Sequence, residues 1–106
     1  MKIKMKSIHA NIINEMEVKD ISDIKAQVEV GYNRDELQRL QLNYHISVGK
    51  PEISHLYVIK CSFVIIDPPA KLGEKQILDQ AVELLQERVE VILALLTEEM
   101  GFELIA

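Results

Sequence analysis

The residues of this chain that could do chemistry are its three histidines and its one cysteine. His9, His45 and His55 form no pair at the spacing of a helical metal motif, and no cysteine or carboxylate stands at metal-ligand spacing from them. His45 and His55 could approach each other only across a hairpin, and two ligands alone do not make a metal site. Cys61 lies inside an apolar run, where a cysteine is usually a small buried hydrophobe. We therefore predict no metal site and no catalytic residue.

The remaining polar residues also predict that the chain is not an enzyme and carries no cofactor. Its glycines occur one at a time, so no glycine-rich loop can hold a phosphate group; they are Gly31, Gly49, Gly73 and Gly101. The carboxylates fall mostly on one helical segment or in turns. An enzyme would have to use the polar face that carries Arg39, Asn43 and His45, and no motif there favours it.

Composition limits the class of protein further. A chain of 106 residues with 48% apolar residues is typical of one globular domain, which we place at 1–106. One cysteine and no signal peptide favour a cytoplasmic protein, and the longest apolar run, Val91 to Leu96, is too short for membrane insertion. The net charge of −5, without an evident basic stripe, argues against nucleic acid as a partner.

Hydropathy patterns predict four strands followed by one helix. Apolar and polar residues alternate with a period of two over residues 23–32 and 38–48, and extended segments are expected at 2–14 and 54–67. The first segment changes its apolar face near Lys6–Ser7, which predicts one long strand with a β-bulge or bend there in preference to two short extended pieces. Pro68 and Pro69 then end the sheet region.

From residue 74 to 100 the period becomes helical, and Gly101 is a natural stop. The predicted core stripe steps by three and four: Leu78, Val82, Leu85, Val89, Ile92 and Leu96. Further apolar residues, including Ile77 and Ala81, widen this band beyond what one sheet contact requires. We therefore expect Leu84, Val91 and Leu95 to lie in an oligomer interface.

The run "HLYVIKCSFVIID" (55–67) is apolar on both faces, although a half-exposed antiparallel strand should have one polar face. The row Tyr57, Ile59, Cys61, Phe63 and Ile65 is expected under the helix. The opposite row would then be available to a partner, and Lys60 and Ser62 would keep it partly polar and accessible to solvent. The predicted binding residues in this row are Leu56, Val58, Lys60, Val64 and Ile66.

Four antiparallel strands followed by a long amphipathic helix resemble the SecB-like fold of bacterial protein-export chaperones. The stretch "LYVIKCSFVI" (56–65) is similar in placement and texture to the fourth strand of that family, and "EMGFELIA" (99–106) resembles its Gly-Phe segment through Gly101 and Phe102. The prolines that usually follow that segment are replaced by Glu103, Leu104 and Ile105, and the sequence to residue 106 has no counterpart of the second C-terminal helix of the family.

The resemblance implies an α+β protein that assembles as a dimer or tetramer and holds unfolded polypeptides without ATP. Two hypotheses follow. In the first, the chain is a holdase-type chaperone or polypeptide-binding protein that acts as a homo-oligomer. In the second, it is a non-catalytic structural or assembly subunit, for instance of a phage, that uses the same apolar surface only for self-association.

Overall fold

The computed structural model describes residues 1–13, 25–49 and 56–100, in which four strands precede one helix. All strand pairs are antiparallel, and the order across the sheet is β1-β4-β3-β2. The predicted fold class, α+β with a four-stranded antiparallel sheet and one long helix on one face, is confirmed. The elements are β1 (Ile3–Ile12), β2 (Lys25–Arg34), β3 (Leu40–Gly49), β4 (Tyr57–Ile65) and α1 (Glu74–Glu99).

The core lies between α1 and the two central strands. Strands β3 and β4 each turn every second side chain toward the helix, and these side chains are buried because the helix covers them. The row predicted to lie under the helix in β4 is confirmed as core. The core residues of the sheet are Leu40, Leu42, Tyr44, Ile46, Val48, Tyr57, Ile59, Cys61, Phe63 and Ile65.

Strand β1 contains the predicted bulge. Met5 pairs with Phe63 and Ser7 pairs with Ser62, so the register shifts at the residue between them, Lys6. An extra residue reverses which parity faces the core. Ile3 and Met5 therefore lie on the helix-facing side before the bulge, and Ile8, Ala10 and Ile12 lie on it afterwards.

Helix α1 contacts the sheet along a different line from the predicted one. Its buried residues are Ile77, Ala81, Leu85, Val89 and Thr97, so they fall on a row of every fourth residue. Such a row is inclined to the helix axis, and contact therefore moves around the helix along its length. The predicted stripe is wrong at Val82, which is exposed, whereas Leu78, Ile92 and Leu96 are partly buried beside the line.

Two side chains of α1 fix the helix over the sheet, and a third caps its N-terminal end. The Arg88 guanidinium donates a hydrogen bond to the Ile3 carbonyl at 3.1 Å and lies 5.4 Å from the centre of the Phe63 ring. Near the C-terminal end of α1, the Thr97 and Tyr57 hydroxyl groups hydrogen-bond in the core. At the N-terminal end the Gln76 side chain accepts a hydrogen bond from the Gly73 amide.

The predicted helix stop, Gly101, and the predicted strand ends at 14, 23–24 and 54–55 lie outside the described residues.

Candidate functional site

Of the five binding residues predicted in and beside β4, Leu56 is the one that the structure places in the core. Leu56 is fully buried and belongs to the core. It lies in a bend immediately before β4, where its amide donates to the Val48 carbonyl at 2.7 Å. In a strand, side chains point alternately to the two faces, but Leu56 precedes β4 and its side chain does not follow this alternation. Leu56 is therefore not available to a partner.

The other four predicted binding residues do lie on the face of the sheet away from α1, which we call the outer face. Lys60 is exposed, Val58 and Ile66 are half-buried, and Val64 is only 4% exposed. Polar residues flank them: His9 and His45 pair with Lys60 from the two neighbouring strands. Little apolar surface is therefore exposed in this part of the outer face.

A network of side-chain hydrogen bonds occupies the middle of the outer face. The Asn43 carboxamide oxygen accepts from Gln41 at 2.7 Å and from Ser62 at 2.9 Å, and the Asn43 amide donates to Asn33 at 2.6 Å. The Lys6 ammonium donates to the Gln41 side chain at 3.1 Å. These polar groups explain why the second face of β4 needs no helix to cover it. In the described residues it is a polar surface with a small apolar part at Val64 and Ile66.

The exposed apolar residues of the sheet lie instead on β2, which the sequence did not single out as a site. Val28, Val30 and Tyr32 pair with Ile46, Tyr44 and Leu42, so they share the helix-facing side of the sheet. The helix does not extend over this edge strand, and they remain 50%, 42% and 60% exposed. The period-two alternation of β2 was a correct signal for a strand, but it could not show that the apolar row is uncovered.

Val30 and Tyr32 of this row form part of one wall of a groove, and α1 forms the other wall. The groove has a volume of about 510 Å³, and its apolar lining comes from Val30, Tyr32, Leu42, Leu78 and Val82. Charged groups stand at the end of the groove next to the N-terminus of α1, where Glu74 forms an ion pair with Arg34 at 3.4 Å. Both partners of this ion pair are half-exposed, so the pair marks the groove's end more than it stabilises the fold. The groove is apolar inside, with Glu74, Lys75 and Asp79 along the helix side.

A second exposed apolar area lies along the opposite side of α1. Leu84, Val91 and Leu95 are 57%, 53% and 58% exposed, and they surround Arg88, the residue that reaches toward β1. Ile8 and Ile12 of β1 are also exposed on the helix-facing side of the sheet. We call these five residues the β1-side band. In the single chain, the predicted interface residues are therefore exposed and accessible to a second copy.

The buried titratable groups are structural. Burial raises the pKa of the Cys61 thiol, which leaves it protonated and a poor nucleophile at neutral pH. The Asn11 side-chain nitrogen donates a hydrogen bond to His9 Nε2 at 2.9 Å on the exposed surface. Within residues 1–13, 25–49 and 56–100, no three histidine, cysteine or acidic side chains come close enough to hold a metal ion. His55 lies outside the described residues.

No described helix combines the length and the apolar character needed to cross a membrane. Comparison of the chain with protein-family models, with curated proteins and with solved structures finds no match.

Proposed function

We propose that this chain is a cytoplasmic, ATP-independent polypeptide-binding protein of SecB-like type that acts as a homo-oligomer. The observation that carries the proposal is the groove between β2 and α1. It combines an exposed apolar row, a helix wall and a strand at the edge of the sheet. A folded monomer gains nothing from leaving these side chains in water.

The groove suits an extended polypeptide for two reasons. An edge strand offers unpaired backbone groups, and an extended chain can add to it as a further strand with little dependence on sequence. Val28, Val30 and Tyr32 stand two residues apart, which is the spacing at which an added strand presents side chains to one face. Each of them is about half exposed, so covering each contributes about 1 kcal/mol.

The β1-side band is the proposed contact between copies of the chain. It lies across α1 from the groove, so self-association there leaves the groove open to a client. This arrangement keeps the predicted interface at Leu84, Val91 and Leu95, and it moves the client surface from β4 to β2.

The test is a holdase assay on two matched variants. Val30→Asp puts a charge into the groove, whereas Gln27→Asp puts the same charge on the outer side of the same strand. Both positions are exposed, so neither variant should lose much stability. We expect the wild-type protein and Gln27→Asp to suppress aggregation of a slowly refolding client, and Val30→Asp to lose most of this effect. Equal activity of the two variants, or a wild-type protein that does not suppress aggregation, would contradict the proposal.

The alternative is a structural or assembly subunit, favoured by the presence of a second exposed apolar area at the β1-side band. It predicts a closed oligomer with no client affinity. Hydrogen exchange of the assembled protein separates the two: β2 amides that exchange freely, and slow when a client is added, support a client groove. Protection of β2 in the oligomer without client supports the alternative.

A further inference from the structure

The charges of this protein are separated between its two faces. Helix α1 carries seven carboxylates and two cations, so its net charge of −5 accounts for the whole net charge of the chain. Its side away from the sheet presents Asp79, Glu83, Glu87 and Glu90, all exposed. The rest of the chain has a net charge of zero, but several of its lysine and arginine residues are concentrated on one side of the sheet.

Lysine and arginine side chains collect on the outer face of the sheet. Lys4 pairs with Val64 beside the bulge, Lys60 stands in the centre of β4, and Lys6 reaches the outer face through its hydrogen bond to Gln41. The described carboxylates on this face are Glu29, on the edge strand, and Asp35, which is already paired with Arg39 at 2.9 Å. The overall acidity of the sequence conceals this basic face, because it depends on strand pairing between residues far apart in the chain.

The basic face has a depression with an apolar floor. Lys4, Lys6 and Arg39 surround Val64 and Ile66, and the space between them is about 300 Å³. This volume is of the order of one or two amino-acid side chains. A ring of cations around an apolar floor fits a ligand that has negative charges on both sides of one apolar group.

We propose that the outer face of the sheet binds an acidic polypeptide segment that carries an apolar anchor residue. The acidic groups pair with Lys4, Lys6 and Lys60, and the anchor side chain enters the depression over Val64 and Ile66, beside the Arg39 that Asp35 already pairs. The carboxamide groups of Gln41 and Asn43 stand beside these cations and can hydrogen-bond the backbone of such a segment.

Two other polyanions fit this face less well. Single-stranded nucleic acid is normally held by stacking on aromatic rings, and all the described aromatic side chains lie on the helix-facing side of the sheet. The acidic side of α1 in a second copy also has the right charge, but its exposed apolar side chains, Leu84 and Val91, lie at the edge of the four carboxylates and not between them. Such a contact is head-to-tail, so it would build a ring or an open chain of copies, which the experiment detects as self-association.

The proposed site is independent of the client groove. The groove lies on the opposite face of the sheet, and the acidic side chains Glu74 and Asp79 along it repel an acidic segment. A protein that fails in the holdase assay can therefore still bind an acidic segment, and the reverse also holds.

The experiment measures binding of a short fluorescein-labelled peptide in which one leucine stands between pairs of glutamates. Lys4→Gln with Lys6→Gln removes two cations from the basic face, and Lys71→Gln with Lys75→Gln removes two exposed lysines elsewhere. Because both double variants change the net charge equally, they separate a local site from general attraction. We expect the first to weaken binding about tenfold and the second less than about twofold. Replacing the peptide's leucine with alanine should weaken binding several-fold, and Val30→Asp should leave it unchanged.

Several results would overturn the proposal. No binding at about 0.1 M salt, or equal losses in the two double variants, would show that the basic face is not a site. Equal affinity for the leucine and alanine peptides would show that the depression takes no anchor. A labelled oligothymidylate that binds more tightly than the peptide, with the same dependence on Lys4 and Lys6, would assign the face to nucleic acid. Salt-sensitive self-association that excludes the peptide would assign it to the helix of a second copy.

Discussion

At the scale of single residues, two buried tyrosines differ in how their hydroxyl groups are satisfied. The Tyr57 hydroxyl hydrogen-bonds with Thr97, whereas the Tyr44 hydroxyl has no hydrogen-bonding partner among the described residues. Burial raises the pKa of both phenols; the Cys61 charge raises that of Tyr44 further, and the Thr97 hydrogen bond lowers that of Tyr57 in part. Because burial raises both pKa values, ionisation of these phenols destabilises the folded state: stability is unaffected below about pH 10 and falls as the pH rises through the folded-state pKa values.

This difference predicts opposite results for the same substitution. Tyr57→Phe removes a satisfied buried hydroxyl and leaves Thr97 with one partner fewer, so the free energy of unfolding should fall by about 1–2 kcal/mol. Tyr44→Phe removes an unsatisfied hydroxyl and keeps the edge-to-face contact with Phe63 at 5.7 Å, so the free energy of unfolding should stay the same or rise. Denaturant titration of both variants measures the two changes. A larger loss in Tyr44→Phe than in Tyr57→Phe would contradict this account.

At the scale of elements, the helix depends on one inclined row of side chains. Leu85 lies in the middle of the row and is fully buried, whereas Val82, three residues earlier, is 37% exposed at the groove. The helical period identified the apolar side of α1, but not which of its rows touches the sheet.

The row predicts which truncation unfolds the protein. Leu85→Ala leaves a cavity against the sheet and should lower the free energy of unfolding by about 2–5 kcal/mol. Val82→Ala, the matched truncation on the exposed side, should cost less than about 1 kcal/mol. Thermal or denaturant unfolding of the two variants checks this, and similar losses would contradict the inclined row.

The turn between β2 and β3 is a second element with a clear local cause. The Asp35 carboxylate accepts from the amides of Leu37 at 3.0 Å and Arg39 at 2.8 Å, and from the Arg39 guanidinium at 2.9 Å. Gln38 has a positive φ of 62°, a conformation that needs support from its surroundings. Burial by itself raises the pKa of Asp35, but the hydrogen bonds and charge of Arg39, with the Leu37 amide, bring the pKa below its ordinary value.

This lowered pKa gives the turn a pH dependence. The contribution of Asp35 to stability is present above its unfolded-state pKa of about 4 and is lost as the pH falls through the folded-state value. Asp35→Asn should therefore be less stable than wild type at pH 7 and should lose less stability on acidification below pH 4. Glu36→Gln, at an exposed carboxylate in the same turn, is the control and should follow the wild-type curve. Parallel pH curves for Asp35→Asn and wild type would contradict the assignment.

At the scale of the whole molecule, the sheet separates surfaces of different character. The helix side carries the acidic residues and the two exposed apolar areas, and the outer side carries the polar network and the cations. The groove, the β1-side band and the outer face are separate surfaces, so the protein can contact a different partner at each.

The β1-side band predicts an oligomer that can be dissociated without unfolding. Leu84→Gln with Leu95→Gln should shift the mass measured by light scattering toward the monomer and leave the circular dichroism spectrum unchanged, because both side chains are exposed in the single chain. Leu37→Gln, at a 70% exposed leucine in the turn between β2 and β3, is the matched control and should keep the oligomer. A wild-type monomer, or an oligomer insensitive to the helix variant, would contradict the prediction.

The sequence by itself determined the order of the elements, the bulge at Lys6, and the face of β4 that lies under the helix. All three depend on local periodicity, and a local pattern can be read from neighbouring residues. Alternation along β2 likewise predicted a strand. It carried no information about whether a helix covers that strand.

Only the tertiary structure decided which apolar residues remain exposed. A helix about 10 Å wide covers roughly two strands spaced 4.8 Å apart, so the lateral order β1-β4-β3-β2 decides that β3 and β4 are covered while β2 is left at the edge. The same order brings Lys4, Lys6, Lys60 and Arg39 together on one face, although their positions in the sequence span more than half of the chain. Long-range strand pairing sets both results, and neither follows from the residues next to each position.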